Sequence, residues 1–307
     1  MPEKVIILGG SGMLGSMVVD YLSRYTTIEV AATVRTEALV VKCKELLPKV
    51  TWLLFDAYLP DLQSTLGVID GYDWVINAIG ITKPLIHDEN ATEVERAVFI
   101  NSLLPYMVAQ QAKVRGGRLL QIATDCVYSG SKGAYLESDA HDALDVYGKT
   151  KSLGEVTAPH VHHLRCSIIG PEPKENKFLL SWFLGQPASA GVNGYVNHRW
   201  NGVTTLHFAK LCHAIIAKDV VTPHLQHVVP SGEITKYELL QCFAKHFHRE
   251  DISITHMEAT IVVDQTLGTT NEALNRDLWS AAGYSSPPSV LEMVAELAHF
   301  DYRLVGL

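Results

Sequence analysis

Short apolar runs alternate with longer amphipathic stretches through the first half of the chain. KVIILGG (4–10), IEVAATV (28–34), VTWLLFD (50–56), DWVINAIG (73–80), GRLLQIATD (117–125) and HHLRCSIIG (162–170) are nearly all apolar and rich in β-branched residues. They read as strands buried on both faces. Residues 13–24, 91–115 and 146–157 carry helical patterns between them. Strands alternating with helices imply crossover units and a parallel sheet, so the fold class expected is α/β and doubly wound. After Gly170 the texture changes. PEPKEN reads as a loop, KFLLSWFLG as a short apolar helix, and GVNGYVNHRWNG is rich in glycine and asparagine. A helix (204–218) and a strand, LQHVVPS (225–231), return toward the sheet, and helices at 236–248 and 289–299 belong to a smaller, later portion.

The chain has 307 residues, 47% hydrophobic and 19% charged, enough for one large domain or two smaller ones. A net charge of −8 argues against nucleic acid or an anionic membrane surface as the main partner. It leaves an anionic small ligand open, because a pocket is set by local groups. The five cysteines are scattered without a CxxC, as in a reducing cytoplasm, where the protein is expected. MPEKVIILGG has no signal-peptide pattern, and no apolar run reaches the roughly 18 residues of a membrane span. The histidine-rich segments HVHH (160–163) and KHFHRE (245–250) lack acids or cysteines at a metal-binding spacing, so no metal is expected.

The first chemical signal is LGGSGMLG. Gly9, Gly12 and Gly15, with Ser11, Met13 and Leu14 between them, form a G-x-x-G-x-x-G turn from the first strand into the first helix. Such a turn brings backbone close to a pyrophosphate on the helix N-terminus. A bare glycine motif is also a plain structural turn; its place after the first strand of an alternating pattern favours the dinucleotide reading and a Rossmann-like sheet. Residues 1–170 then form a dinucleotide-binding domain to which 200–230 return. Residues 171–199 and 231–307 form a smaller C-terminal α/β substrate-binding portion, with a cleft between the two. At the end of the second strand, ATVRTEA offers Arg35 and no acid until Glu37. An arginine there suits a 2′-phosphate, so NADPH is expected, with NADH possible. A solvated arginine is the plain alternative. Asp56, ending the third strand, either reaches the adenine or caps the following turn.

The second signal is DVYGKTKSLGE. Tyr147 and Lys151 stand four apart and share a face of a helix. Twelve tyrosines and fifteen lysines give roughly 0.6 such spacings by chance, so the spacing alone is weak. The rival pair, Tyr128 and Lys132, spans Ser-Gly-Ser and reads as a loop. A phenol with a pKa near ~10 is a poor acid at neutral pH, and an adjacent ammonium favours its ionised form.

The ordered set GGSGMLG, NAIG, TDCVY, YGKTK and LRCSIIG resembles the extended short-chain dehydrogenase/reductase superfamily. Within it, the likeness is to dTDP-4-dehydrorhamnose reductase and related sugar-nucleotide 4-ketoreductases, over residues 4–215 and more loosely beyond. The resemblance implies catalytic roles for Thr124, Tyr147 and Lys151: Thr124 bonds the substrate carbonyl, Tyr147 gives the proton, and Lys151 supports it and holds the ribose. It implies that Asn77, Ala78 and Gly80 line the cofactor, and that Asn101 supports the lysine. A helix-surface asparagine is the alternative for Asn101. Asp125, Cys126, Tyr128, Trp200 and Asn201 are expected near a nucleotide-sugar substrate; packing is the alternative for Trp200. A homodimer through 91–115 and 146–157 is a further possibility.

Departures leave alternatives. Ser167-Ile168-Ile169-Gly170 lacks the aromatic run usual in the rhamnose-precursor reductases, which leaves the sugar open. Related dehydratases carry TDE where this chain has TDC. GDP-fucose synthases have a cysteine at this place, so Cys126 is either half of an epimerase pair or a small buried thiol. A non-catalytic reading, the regulatory β subunit of methionine adenosyltransferase, gives Thr124, Tyr147 and Lys151 no chemical purpose.

Overall fold

The computed structural model describes residues 3–58, 65–174, 177–220 and 222–307. The chain opens with β1 (Lys4–Leu8), α1 (Met13–Tyr25), β2 (Glu29–Val34), α2 (Glu37–Leu46), β3 (Thr51–Leu54) and β4 (Trp74–Asn77). α3 (Ala91–Ala97) and α4 (Leu104–Val114) follow, joined by a π-helical segment, Val98–Leu103. Next come β5 (Arg118–Ala123), α5 (Val146–Leu153), β6 (Val161–Arg165), β7 (Ile168–Ile169), α6 (Leu179–Leu184), β8 (Gly191–Tyr195), β9 (His198–Trp200) and β10 (Val203–Thr204). The chain continues through α7 (Thr205–Lys218), β11 (Leu225–His227), β12 (Ile234–Thr235), α8 (Lys236–His246), β13 (Ser253–Met257), β14 (Val263–Asp264), α9 (Glu272–Ala281) and α10 (Val290–His299).

Seven strands form one sheet in the order β3-β2-β1-β4-β5-β6-β11, every pairing parallel. Alternate residues of β1 feed two cores. Val5 and Ile7 join Val18 and Leu22 of α1 and Phe208 and Leu211 of α7. Ile6 and Leu8 join Ile100, Leu104 and Val108 on the other face. This is the two-faced burial that the unbroken apolar runs predict. The strand order reverses between β1 and β4, which opens a crevice at the strand C-termini. The later portion adds β8 paired with β13, and β9 between β12 and β14. Its helices bury Leu239, Phe243, Trp279 and Met293 in the same core as α7.

The chain departs from its apolar pattern in four places. The run 162–170 is two strands, because the chain leaves the sheet after Arg165 and Ile168–Ile169 pair with β10. The helix expected at 91–115 changes register through the π segment. Pro105 has no N–H for the Asn101 carbonyl, so regular α-helical bonding cannot continue there. The glycine- and asparagine-rich stretch holds β8 and β9. Helices α2 and α9 are additions; α2 buries only Cys43 and so leaves little periodic signal.

Candidate active site

A cavity of about 700 Å³ lies over the C-terminal ends of β1, β2, β4 and β5. The glycine turn forms one wall. Gly9 has φ +83°, and its amide donates to Thr33 Oγ1 at 3.0 Å. A β-carbon on Gly15 would stand 2.2 Å from the Gly9 carbonyl oxygen, so only glycine lets α1 start this close to β1. Gly12 opens α1 with no side-chain cap and no acid in the first turn. The positive end of that helix, with Ser11, Met13 and Leu14, therefore faces the cavity. This is a cradle for a phosphate, and a dinucleotide fits it.

Other charges ring the same wall. Arg35 is exposed on the rim beyond β2. Asp56 lines the cavity, and its carboxylate also accepts the Tyr58 amide at 3.0 Å, so it caps the turn as well. Several lining residues escaped the sequence reading, Lys174 and Arg96 among them. Lys174 reaches across to donate to Ser11 Oγ at 3.2 Å, and Arg96 stands over the Tyr58 ring at 5.6 Å. One lies in a loop and one on an exposed helix face, and neither belongs to a motif.

The opposite wall carries the polar cluster. Thr124 closes β5 and caps a short turn, Asp125–Val127, by accepting the Cys126 amide at 3.2 Å. Asp145 starts α5 by accepting the Gly148 amide at 2.9 Å, and is itself paired with Lys83 at 2.8 Å. These caps aim Tyr147 and Lys151 into the cavity with Thr124, Asp125 and Cys126. Thr124 and Tyr147 line the same stretch of this wall. Lys151 Nζ donates to the Ile122 carbonyl at 2.9 Å. Burial pulls the Lys151 ammonium down to about 8, with the Glu155 carboxylate opposing. The phenol moves the other way from the expectation. Burial pushes Tyr147 up, the nearby Cys126 and Asp125 add to the rise, and the neighbouring Thr124 hydroxyl opposes it. The group is therefore a protonated phenol at neutral pH.

The remaining expected residues divide into wall, support and elsewhere. Ala78 and Gly80 line the cavity. Asn77 stands behind it, donating to Gln121 Oε1 at 2.9 Å and accepting the Ile79 amide at 3.1 Å. Asn101 lies behind it too. It brackets Ile81 by accepting its amide and donating to its carbonyl, both at 2.9 Å, and donates to Thr150 Oγ1 of α5 at 3.2 Å. Tyr128, Trp200 and Asn201 lie off the cavity, contrary to expectation. The turn after Thr124 carries Tyr128 inward, where it stacks on Tyr135 and accepts a bond from Arg165 at 2.7 Å. Asn201 is spent on the Leu267 backbone, and Trp200 packs at the edge of the core. The HVHH histidines bond Ala109, Thr222 and Val156, which are structural tasks. Among the described residues no group of three metal-ligating side chains gathers, and no helix is long and apolar enough to cross a membrane.

The profile of one protein family, the RmlD substrate binding domain, matches residues 3–298. A curated relative, the spore coat polysaccharide biosynthesis protein SpsK of Bacillus subtilis (strain 168), is 35% identical over 85 residues. That stretch is 27% of this chain and 29% of the relative, so the match spans under a third of the relative's length. The dTDP-4-dehydrorhamnose reductase of Bacillus anthracis, solved in complex with NADP, superposes with TM-score 0.71 at 17% identity, covering 97% of this chain and 99% of that one. A UDP-glucuronic acid 4-epimerase from Bacillus cereus, solved with a UDP-4-deoxy-4-fluoro sugar acid and NAD, gives TM-score 0.67 at 15% identity, covering 96% and 99%. These two likenesses establish the fold.

Proposed function

The chain belongs to the family of the RmlD substrate binding domain, and on that premise we propose that it is an NAD(P)-dependent oxidoreductase of sugar nucleotides. It reduces a 4-keto-6-deoxy sugar nucleotide, with NADPH as donor, in the synthesis of polysaccharide precursors. The observation that carries this reading is that Thr124, Tyr147 and Lys151, one helical turn on, face the glycine turn across one cavity.

The fit to the cofactor rests on that turn: the open end of α1, Ser11 and Lys174 suit a pyrophosphate, and Arg35 a 2′-phosphate. When bound, the nicotinamide supplies the hydride. The protein's own part is to hold and protonate. Thr124 holds the carbonyl oxygen, Tyr147 gives it a proton, and Lys151 holds the ribose hydroxyls. A phenol kept protonated at neutral pH suits a proton donor. Ala78 and Gly80 let the backbone run close to the cofactor, while Asn77 and Asn101 fix the turn behind it. Asp125 and Cys126 border the reacting sugar.

An epimerase role for Cys126 is not favoured. Burial, with the Asp125 charge beside it, pushes the thiol up, away from the thiolate that proton abstraction needs. Five unpaired cysteines suit a cytoplasmic enzyme. The test is NADPH oxidation on incubation with a panel of keto-sugar nucleotides. Turnover with a 4-keto-6-deoxy substrate supports the reading, and inertness toward the whole panel ends it.

A further inference from the structure

Thr124 has one hydroxyl proton, and that proton is already engaged. Its oxygen accepts the Cys126 amide at 3.2 Å. Its proton goes to Asp125 Oδ1 at 3.2 Å. A hydroxyl offers one donor and two acceptor sites. Held this way, Thr124 has no proton to give a substrate oxygen. An ionised carboxylate can only accept, so while Asp125 is charged it keeps that proton.

We propose that Asp125 is a positioning residue that sets the direction of the Thr124 hydroxyl. A proton on the Asp125 carboxyl reverses their hydrogen bond and frees the Thr124 proton for the substrate carbonyl. The count closes in that state. Thr124 accepts from the Cys126 amide and from the Asp125 O–H, and donates to the substrate, while Tyr147 offers its own proton to the same substrate oxygen. No proton crosses between Asp125 and Thr124 in this step. The inference rests on the role given to Thr124 above.

The surroundings suit a carboxyl that takes up a proton. Asp125 is 2% exposed. It opens the short turn after β5 and also accepts, at 3.7 Å, from the Cys126 thiol, with the Ser167 hydroxyl among its neighbours. The titratable groups that face it are Cys126 beside it, Tyr147 from α5 and Cys166 at the end of β6. All three are pushed up by burial and stay neutral at ordinary pH. Lys83, beyond Cys126, is engaged by Asp145. Burial lifts the Asp125 carboxyl to about 6, against the neighbouring hydroxyls that lower it.

The experiment is the pH profile of single-turnover NADPH oxidation in wild type and Asp125→Asn, with a reactive keto-sugar nucleotide. The asparagine amide donates at every pH, as the protonated carboxyl does. In wild type the rate should fall about tenfold per pH unit above the Asp125 midpoint. In Asp125→Asn that limb should vanish, so at pH 8 the variant should outpace wild type about tenfold or more. A limb that persists in the variant, or a wild type with no such limb, overturns the inference and leaves the reductase reading standing. No turnover by wild type at any pH overturns both. Should Asp125→Asn fail to fold, carbon-13 titration of the aspartate carboxyls in wild type decides. A buried carboxyl titrating at the kinetic midpoint supports the inference, and no carboxyl titrating there overturns it.

Discussion

Gly148 rests against the Cys126 carbonyl: a β-carbon at 148 would stand 2.5 Å from that oxygen and 2.4 Å from Ala143 Cβ. The glycine between Tyr147 and Lys151 is thus what lets α5 lie on the turn that carries Thr124. Gly148→Ala should push the helix off its seat. Overpacking of this kind costs about 1–3 kcal/mol of stability. Displacing the phenol by roughly 1 Å should cost the chemical step about 10²-fold. A Gly148→Ala enzyme with wild-type single-turnover rate would show that the seat does not set the geometry.

Beneath the site, Arg165 of β6 is fully buried and ties β11 to the segments on either side of α5. Its Nη2 donates to both Glu155 oxygens and, at 2.9 Å, to His141 Nε2. Its Nη1 donates to Tyr128 at 2.7 Å and His227 Nε2 at 3.0 Å. Both imidazoles must accept at Nε2 and are therefore neutral. Burial and the Arg165 charge hold both below the usual histidine value. A depressed folded value means that unfolding takes up protons. The stability these groups carry is full above about 6.5, the unfolded value, and is lost as pH falls toward the folded values. The urea midpoint should drop between pH 7.5 and 5 in wild type. Arg165→Met leaves Glu155 uncompensated and should cost about 3–5 kcal/mol. An unchanged midpoint would mean that the network carries little stability.

The sheet was legible because buried parallel strands are unbroken apolar runs, and the glycine turn because its spacing reflects contacts within one strand–helix unit. Thr124 and Tyr147 were legible as parts of ordered motifs. What was not legible depends on distant partners. Lys174 meets Ser11 across 163 positions, and Asn201 meets Leu267 across 66. Tyr128 lies four residues past Thr124, yet the turn Asp125–Val127 sends it to the far side of the wall. Nothing in local spacing announces that turn. The sign of the Tyr147 shift was likewise hidden, because it follows from burial and from Asp125 and Cys126 rather than from Lys151.

Arg35 tests cofactor choice. It stands exposed on the rim past β2, with no acid beside it until Glu37. Removing a charge-assisted phosphate contact should weaken NADPH by about 1.5–3 kcal/mol and leave NADH unchanged. Dissociation constants for both cofactors, on wild type and Arg35→Ala, measure this. Equal wild-type affinities would remove the basis for the preference.

Assembly has its own test. Leu103 and Tyr106, at the junction of the π segment and α4, and Leu153 of α5 are exposed apolar side chains on neighbouring elements. Pairing of this face with a second copy would cover them. Light scattering at micromolar concentration should give a dimer, and Tyr106→Glu with Leu153→Glu should give a monomer. A monomeric wild type ends the idea.

The decisive variants are Tyr147→Phe and Lys151→Ala. Tyr147→Phe removes one hydroxyl and keeps the ring, so the fold and the cavity should be retained. Loss of a general acid typically costs ~10²–10⁴ in rate, or about 3–5 kcal/mol of barrier. NADPH should still bind to Tyr147→Phe but more weakly to Lys151→Ala, because only the lysine is expected to touch the ribose. Tyr128→Phe is the internal control. Its hydroxyl bonds Arg165 and the Leu136 carbonyl beneath the site, so the change should lower the urea midpoint and leave a far larger chemical rate than Tyr147→Phe. If Tyr147→Phe oxidised NADPH at the wild-type rate in a single turnover, the proton would have to come from elsewhere, and Tyr147 would be part of the cavity wall alone.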